Sequence, residues 1–386
     1  IVYLIKRSIY FVAISSTGEP EAVLRQQLEF IHNQILFVLT SKIHDILKSN
    51  PSKDVRELLG YDTNRLIYAS CKDIITSPCI VYKCLTGCVM ESTLRRGMHD
   101  YLREALLRSN AAFGCIFHED SLLTFATNER MDVKVDVSDV LLLANFVCHS
   151  TSLRTHDQNW VPLCLPSLNS GGYVQAYVAT LKLDDSSAPI ALVLISASAA
   201  DANDFKLLHE ARLILQDNMN RDGLSQRLIR AISLQNAASQ NYLSAVQCLH
   251  FFFKYTPPSG APSQCIWSGE QNNTPHFLYH ETLPSLWAHC YRLGACLRDG
   301  SSSPEITLLG NRLNDVSSEK LSYTNSFSRD PAPDYALAYV TLESGAVIVG
   351  LASSDSELYA TFPGTMSALD SCGLANFLSR MLKKEV

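Results

Sequence analysis

The chain has no phosphate-cradling GxxxxGKS/T, no GxGxxG, no HExxH and no GxSxG, so the strongest local signatures of nucleotide, zinc and serine-hydrolase chemistry are missing. It also lacks a basic stripe. Acidic residues outnumber basic ones 38 to 32, a formal net charge of −6, which argues against a nucleic-acid partner, because such domains gain affinity by releasing counterions from phosphates. The longest basic clusters, Arg95-Arg96 and Lys383-Lys384, suit solvated helix faces. No apolar run approaches the ~18 residues of a membrane span, and no charged and apolar leader with a small-residue cleavage site opens the chain. What is present is 386 residues, 47% hydrophobic and 18% charged, enough to bury a core in two or three domains.

The twelve cysteines are scattered, with no CxxC and no paired zinc spacing. Cys79, Cys84 and Cys88 come nearest, in the apolar run PCIVYKCLTGCVM, where buried thiols behave as small hydrophobes. Free thiols fit a reducing compartment such as the cytosol.

Along the chain, Val2 and Leu4, then Ile9, Phe11 and Ala13, alternate around Lys6-Arg7-Ser8 and predict a β-hairpin. The chain opens inside this strand without an initiator Met, which reads as the middle of a domain. A long helix over 20–48 is expected, with Ser16 and Glu19 at capping-box spacing, Pro20 in the first turn, and Leu24, Leu28, Ile31, Ile35 and Val38 on one stripe. Shorter helical pieces continue to 75, broken near Gly60 and Asp62. A strand is expected from Pro78 through Cys88, then a helix from Ser92 carrying Leu94, Met98, Leu102 and Leu106. Two strands over Phe113–Asn128 and a helix over Val135–Val147 come next.

The segment WVPLCLPSLNSGGYVQAYV, residues 160–178, has an architectural pattern. Pro162 and Pro166 fix φ and remove amide donors, predicting an edge or loop, and Gly171-Gly172 permit a tight turn before an alternating strand. Strands over 173–183 and 189–198 and a helix over Asp204–Asn218 complete this unit. A helical run over Leu228–Ser239, the strand QCLHFFFKY, a helix over Leu283–Leu297, a hairpin turned at Ser344-Gly345, the strand ELYATF and an amphipathic closing helix follow. Leu374, Phe377, Leu378, Met381 and Leu382 form that helix's apolar face. Strands followed by an amphipathic helix thus recur three times, ending near 48, 219 and 386. Residues 301–334, polar and strand-poor, read as a loop-rich insertion.

Candidate chemistry is sparse. FHED offers His118, Glu119 and Asp120, but strand alternation aims His118 and Glu119 to opposite faces, and a hairpin turn is the better reading. Cys148, His149 and His156 invite a thiol–imidazole pairing, yet adjacent residues seldom aim at one another and catalytic partners are usually distant in sequence. The aromatic run LHFFFKY, with no basic field around it, reads as strand core rather than a base-stacking platform. The closing helix is expected to dock on its own sheet.

WVPLCLPSLNSGGY is similar to a signature of the Mon/SAND family of vacuolar fusion proteins. Three further stretches match that family in order: IVYLIKRSIYFVAISSTGEPEAVLRQQLEFIHNQILFVLT, LHFFFKYT, and ELYATF with the closing helix ending in LKKE. The resemblance implies an α+β fold of three longin domains, each an antiparallel sheet in the order strand, strand, helix, three strands, helix. On this chain they would fall at 1–75 (with a helical connection), 76–222 and 223–386. The first would be incomplete at its N-terminus, lacking two strands, a helix and a third strand. The helix over 20–48 would lie near the partner interface, its stripe serving the domain's own core.

The resemblance further implies a heterodimer with the Ccz longin subunit. This pair would be a guanine-nucleotide exchange factor for the late-endosomal and vacuolar Rab GTPase, acting in endosome maturation, vacuole or lysosome fusion and autophagy. The early-endosomal Rab and phosphoinositide-bearing membranes would recruit it, peripherally and from the cytoplasm, with a third subunit as a further partner. Such a regulator uses no covalent catalyst, cofactor or metal, and no residue is singled out as a Rab contact. The alternative is a non-catalytic longin adaptor or tethering scaffold, since fold does not fix function. A small-molecule enzyme would need convergent titratable groups in a pocket.

Overall fold

Alternating apolar strands and amphipathic helices assemble into two units: Ile1–Ser15, Glu21–Ser233 and Ala261–Ser263 in one, Ser16–Pro20, Leu234–Gly260 and Gln264–Val386 in the other. The computed structural model describes residues 1–150, 153, 157–183, 189–196, 202–257, 260–268, 283–299, 306–308, 336–342 and 344–384.

In the first unit, β1 (Val2–Lys6) and β2 (Ile9–Ala13) form the expected antiparallel hairpin, turned through Arg7 at φ 52. Helix α1 (Glu21–Leu39) starts five residues after Ser16, too far for that side chain to cap it, and stops at Thr40, φ 59. The expected 20–48 helix is therefore two, α1 and α2 (Ile43–Ser49). Leu24 and Ile35 are buried as expected, while Leu28, Ile31 and Val38 are half-buried and Val23, Phe30, Leu36 and Phe37 take the deeper positions. In α3 (Val55–Thr76) Asp54 caps the first turn by accepting from the Arg56 amide at 2.9 Å, and Gly60 at φ 72 kinks the helix where a break is expected.

The strand expected from Pro78 through Cys88 is mostly absent. Instead Cys79–Tyr82 make a helical turn, α4, closed by Lys83 in the left-handed region, before the two-residue strand β3 (Leu85–Thr86). A short apolar run is compatible with either a buried helix or a strand. Its thiols Cys79, Cys84 and Cys88 are buried.

Helix α5 (Ser92–Ser109) buries Leu94, Met98, Leu102 and Leu106 along one stripe. The stripe packs into a core with Ile116, Leu123, Leu192 and Leu194 of a five-stranded antiparallel sheet. The sheet runs in the order β5 (Ser121–Thr127), β4 (Ala111–His118), β8 (Ile190–Ser196), β7 (Val174–Leu181), β6 (Gln158–Leu163). Helix α6 (Val137–His149) lies between β5 and β6 in sequence, α7 (Pro166–Asn169) between β6 and β7, and α8 (Ala202–Arg221) after β8. Leu208, Ala211, Leu215 and Met219 of α8, with Leu224 and Leu228 at the start of α9 (Leu224–Ala245), complete the core. Gly114 is needed there, because a Cβ would stand 2.8 Å from Leu194 and 3.0 Å from Leu102. The one-sided alternation expected for β7 does not hold at its centre: Ala176–Ala179 are buried on both faces.

The second unit repeats this arrangement. Its strands run β11 (Ile306–Leu308), β12 (Ala336–Thr341), β13 (Val347–Ala352), β14 (Ser356–Phe362), β9 (His250–Tyr255), β10 (Gln264–Trp267), all antiparallel. In both sheets the first strand in sequence lies between the second and the last, and a helix follows the second strand, here α10 (Leu283–Asp299). Phe251, Phe252 and Phe253 are fully buried, Phe252 meeting the Trp287 ring edge-on at 5.7 Å, so LHFFFKY is core. The closing helix α11 (Ala368–Leu382) packs on β13 and β14, burying Cys372, Ala375, Leu378 and Leu382 and leaving Phe377 exposed. Of residues 301–334 only β11 lies among the described residues, and it is a strand rather than loop. No helix among the described residues is long and apolar enough to cross a membrane.

Candidate functional site

In a two-stranded ribbon every other side chain faces the same side, and in β1–β2 both sets are apolar. Val2 and Leu4 face α1 and are buried. The opposite set is Ile1, Tyr3 and Ile5 with Tyr10, Val12 and Ile14, and the register places Tyr3 opposite Val12 and Ile5 opposite Tyr10. These six are 73%, 62%, 62%, 73%, 52% and 79% exposed. Contiguous apolar surface of this kind marks an interaction site, and it holds no nucleophile, base or metal ligand. Among the described residues each strand of the ribbon has one neighbour, so its outer edges also present backbone donors and acceptors to a partner strand.

The inner face fixes the ribbon to its helices. Phe11 meets the His32 ring edge-on at 5.8 Å, Ile9 packs against Leu36, Ile43 and Leu47, and the Ser8 hydroxyl donates to the His44 carbonyl at 3.2 Å. At the turn Lys6 pairs with Glu29 at 3.2 Å. Beneath the ribbon the buried rings of His32 and His44 face each other Nε2 to Nε2 at 3.4 Å. One proton serves that contact. The buried His44 Nδ1 has no partner, and an unpartnered acceptor costs less than an orphaned N–H, so His44 carries its proton on Nε2 and donates to His32. Burial lowers both imidazoles, His32 to about 4 with the positive charges of His44 and Lys6 adding to the effect. The pair is neutral at physiological pH.

The signature segment secures the far end of α1. The last carbonyls of a helix lack intrahelical partners, and here Cys164 N–H donates to the Phe37 carbonyl at 2.8 Å and the Tyr173 hydroxyl to the Val38 carbonyl at 2.9 Å. The Ser41 amide returns a bond to the Ser170 carbonyl at 2.7 Å. Pro162 sits on the edge strand β6, where a missing donor costs nothing, and Pro166 opens α7. The amides of Ser167 and Leu168 in that turn donate to the buried Asp139 carboxylate of α6 at 3.1 and 2.9 Å. Gly171 and Gly172 do not use left-handed backbone. A second tie crosses the helices, where Asn145 Nδ2 donates to Gln34 Oε1 at 2.8 Å and to the Ser70 hydroxyl at 2.6 Å. The segment is thus a clamp joining the hairpin-bearing helix to the five-stranded sheet.

The residues weighed for chemistry separate cleanly. His118, Glu119 and Asp120 form the β4–β5 turn, with Glu119 in the left-handed region at φ 53. His149 finds its partner far back in the chain, its Nε2 meeting Asp73 Oδ2 of α3 at 2.7 Å. His156 lies outside the described residues. The stripe of the expected 20–48 helix serves core, and the exposed apolar surface beside it belongs to the hairpin.

The family model for the first longin domain of FUZ, MON1 and HPS1 matches residues 1–67, and that for the second longin domain of the same proteins matches residues 109–212. Vacuolar fusion protein MON1 of Yarrowia lipolytica is 30% identical over 233 residues, 60% of this chain and 40% of that protein. The MON1 homolog of Oryza sativa is 30% identical over 178 residues, 46% of this chain and 30% of that protein. MON1 homolog A of Homo sapiens is 25% identical over 263 residues, 66% of this chain and 37% of that protein. The matched part of the chain thus spans less than half the length of each of these relatives. Two longin matches in order, on antiparallel sheets flanked by helices, with MON1 relatives from fungi, plants and animals and a SAND protein beside them, establish that the chain belongs to the Mon/SAND family of longin-domain proteins.

Proposed function

We propose that the chain acts in vacuolar fusion as one subunit of a guanine-nucleotide exchange factor. It pairs with the Ccz longin subunit, and the pair activates the late-endosomal and vacuolar Rab during endosome maturation and vacuole or lysosome fusion. The observation that carries this reading is the open apolar face of β1–β2, a surface that a partner longin sheet would cover. Burying each of its aliphatic side chains is worth roughly 1.5–3 kcal/mol, and side chains already exposed in the free chain cost little to keep there. The names of the curated relatives, vacuolar fusion proteins, support the same process.

Exchange in this reading needs no covalent step. A platform that binds the Rab better without nucleotide and Mg²⁺ than with them shifts the Rab toward the empty state by the difference in affinity. Recruitment by the early-endosomal Rab and by phosphoinositide headgroups brings the pair to the cytoplasmic face of endosomes, where a third subunit joins it. The test is release of fluorescent GDP from a panel of Rabs by the full-length protein, with and without Ccz. Release confined to the late-endosomal Rab and requiring both subunits is expected. An intact complex that releases GDP from no Rab overturns the exchange reading in favour of an adaptor or tether.

A further inference from the structure

The two buried imidazoles under the hairpin share one proton and have no place for a second. A neutral imidazole has a single acceptor nitrogen, and that of His32 is filled by His44 Nε2 at 3.4 Å. The other basic nitrogen is His44 Nδ1, buried and without a partner. A proton on His32 Nε2 would set N–H against N–H, and one on His44 Nδ1 would create a buried donor with no acceptor. The contact therefore survives only while the pair is uncharged.

The hairpin and two helices enclose the pair. Phe11 of β2 covers the His32 ring at 5.8 Å, and the Ser8 hydroxyl in the turn holds the His44 carbonyl at 3.2 Å. The surrounding charges are divided by element. Lys6 and Arg7 of the hairpin oppose positive charge on His32 and His44 respectively, whereas Glu29 of α1 favours it on His32 and Asp45 of α2 favours it on His44. A charged pair thus repels the hairpin and is held by the helices. The half-exposed Lys6–Glu29 pair is a weak tie against this, and α1 is fixed at its far end by the bonds from Cys164 and Tyr173.

We infer that the His32–His44 contact is a proton-operated latch: uptake of a proton by the pair frees β1–β2 from α1 and α2 as a local unit, while the five-stranded sheet and its helices stay folded. A two-stranded hairpin stripped of its packed face is not stable in water, so the released ribbon opens and its apolar outer face loses its fixed place on the domain. The inference rests on the packing of the inner face and stands whatever covers the outer one. In the docked form burial, then the charges of His44 and Lys6, hold His32 down to about 4, whereas a released ring returns toward 6.5. The released form therefore binds more protons between those values, and each step of acidity within them favours release.

The test is hydrogen exchange of the whole chain, read segment by segment by mass spectrometry and corrected for the intrinsic pH dependence of amide exchange. From pH 7 to pH 5 the protection of the β1–β2 amides is expected to fall by roughly ten-fold or more, while that of β4, β8 and α5 is kept. In the double variant His32→Gln with His44→Gln the acid-dependent part of the hairpin's loss should disappear. NMR titration of the two rings in the parent chain is a second readout that needs no variant, and the rings should take up their proton over the same pH range in which the hairpin loses protection. A hairpin that stays protected at pH 5, or that opens only together with the sheet, overturns the latch. So do rings that titrate without opening the hairpin, and an unchanged acid response in a folded double variant.

Discussion

The five-stranded sheet and the β1–β2 hairpin are built from similar strands and end in opposite states of burial. In β4 and β8 nearly every residue of both faces is buried, Phe113, Cys115, Val193 and Ile195 as fully as Ile116, Leu192 and Leu194. In β1 and β2 only the inward set is covered, and the outward set, equally apolar, stands in solvent. Stability in this chain resides where both faces are packed, and binding capacity resides where one is left open. The clamp built from the signature segment lies between these regions and makes the hairpin a rigid feature of the sheet domain.

The comparison breaks most visibly in the packed sheet. Leu194→Ala, which empties space among Leu102, Leu106 and the α8 stripe, is expected to destabilise the chain by about 2–5 kcal/mol in urea unfolding. A loss under about 1 kcal/mol there contradicts the two-sided packing. Asn145→Ala leaves the buried Gln34 without that donor and is expected to cost about 1–3 kcal/mol. Tyr173→Phe removes one bond to the end of α1, about 0.5–1.5 kcal/mol, and hydrogen exchange should rise first in the last turn of α1. An increase spread evenly over the domain would show that the clamp is not local.

Acidity probes the inner face of the hairpin. His32 is held neutral down to about pH 4 in the folded chain, whereas an unfolded imidazole binds its proton near pH 6.5. Between those values the unfolded state holds more protons, so stability falls as pH drops from 6.5 toward 4. Buried His250 acts in the same direction in the second unit. His32→Gln should flatten its share of the slope, seen as a smaller loss of melting temperature between pH 7 and pH 5. An unchanged slope would place the acid sensitivity elsewhere. The smallest expected effect on stability belongs to the outer face, where the double variant Tyr3→Ser with Tyr10→Ser should stay within about 0.5 kcal/mol of the parent.

Much of the fold was legible in residue order. Leu94, Met98, Leu102 and Leu106 announce α5, Gly345 announces the β12–β13 turn, and Pro162 announces an edge strand, each through a local rule that packing then reinforces, while the helical turn that Pro166 opens was read only as edge or loop. The PCIVYKC run was not legible, because a short apolar run satisfies a buried helical turn as well as a strand. The open face was half legible. Ile1, Tyr3 and Ile5 are visibly apolar, but a run apolar on both sides reads the same in β1 as in β4, and only the assembled layers reveal which side is covered. The His149–Asp73 pair was hidden because Asp73 arrives from α3, far back in the chain.

The central claim is that the open face of β1–β2 is where a longin partner docks, and affinity for Ccz is its most direct measure. Calorimetric titration of the Tyr3→Ser, Tyr10→Ser chain against Ccz should show binding weakened by roughly thirty-fold or more, the loss expected for buried tyrosine anchors, at an unchanged melting temperature. Unchanged affinity in that variant would contradict the account.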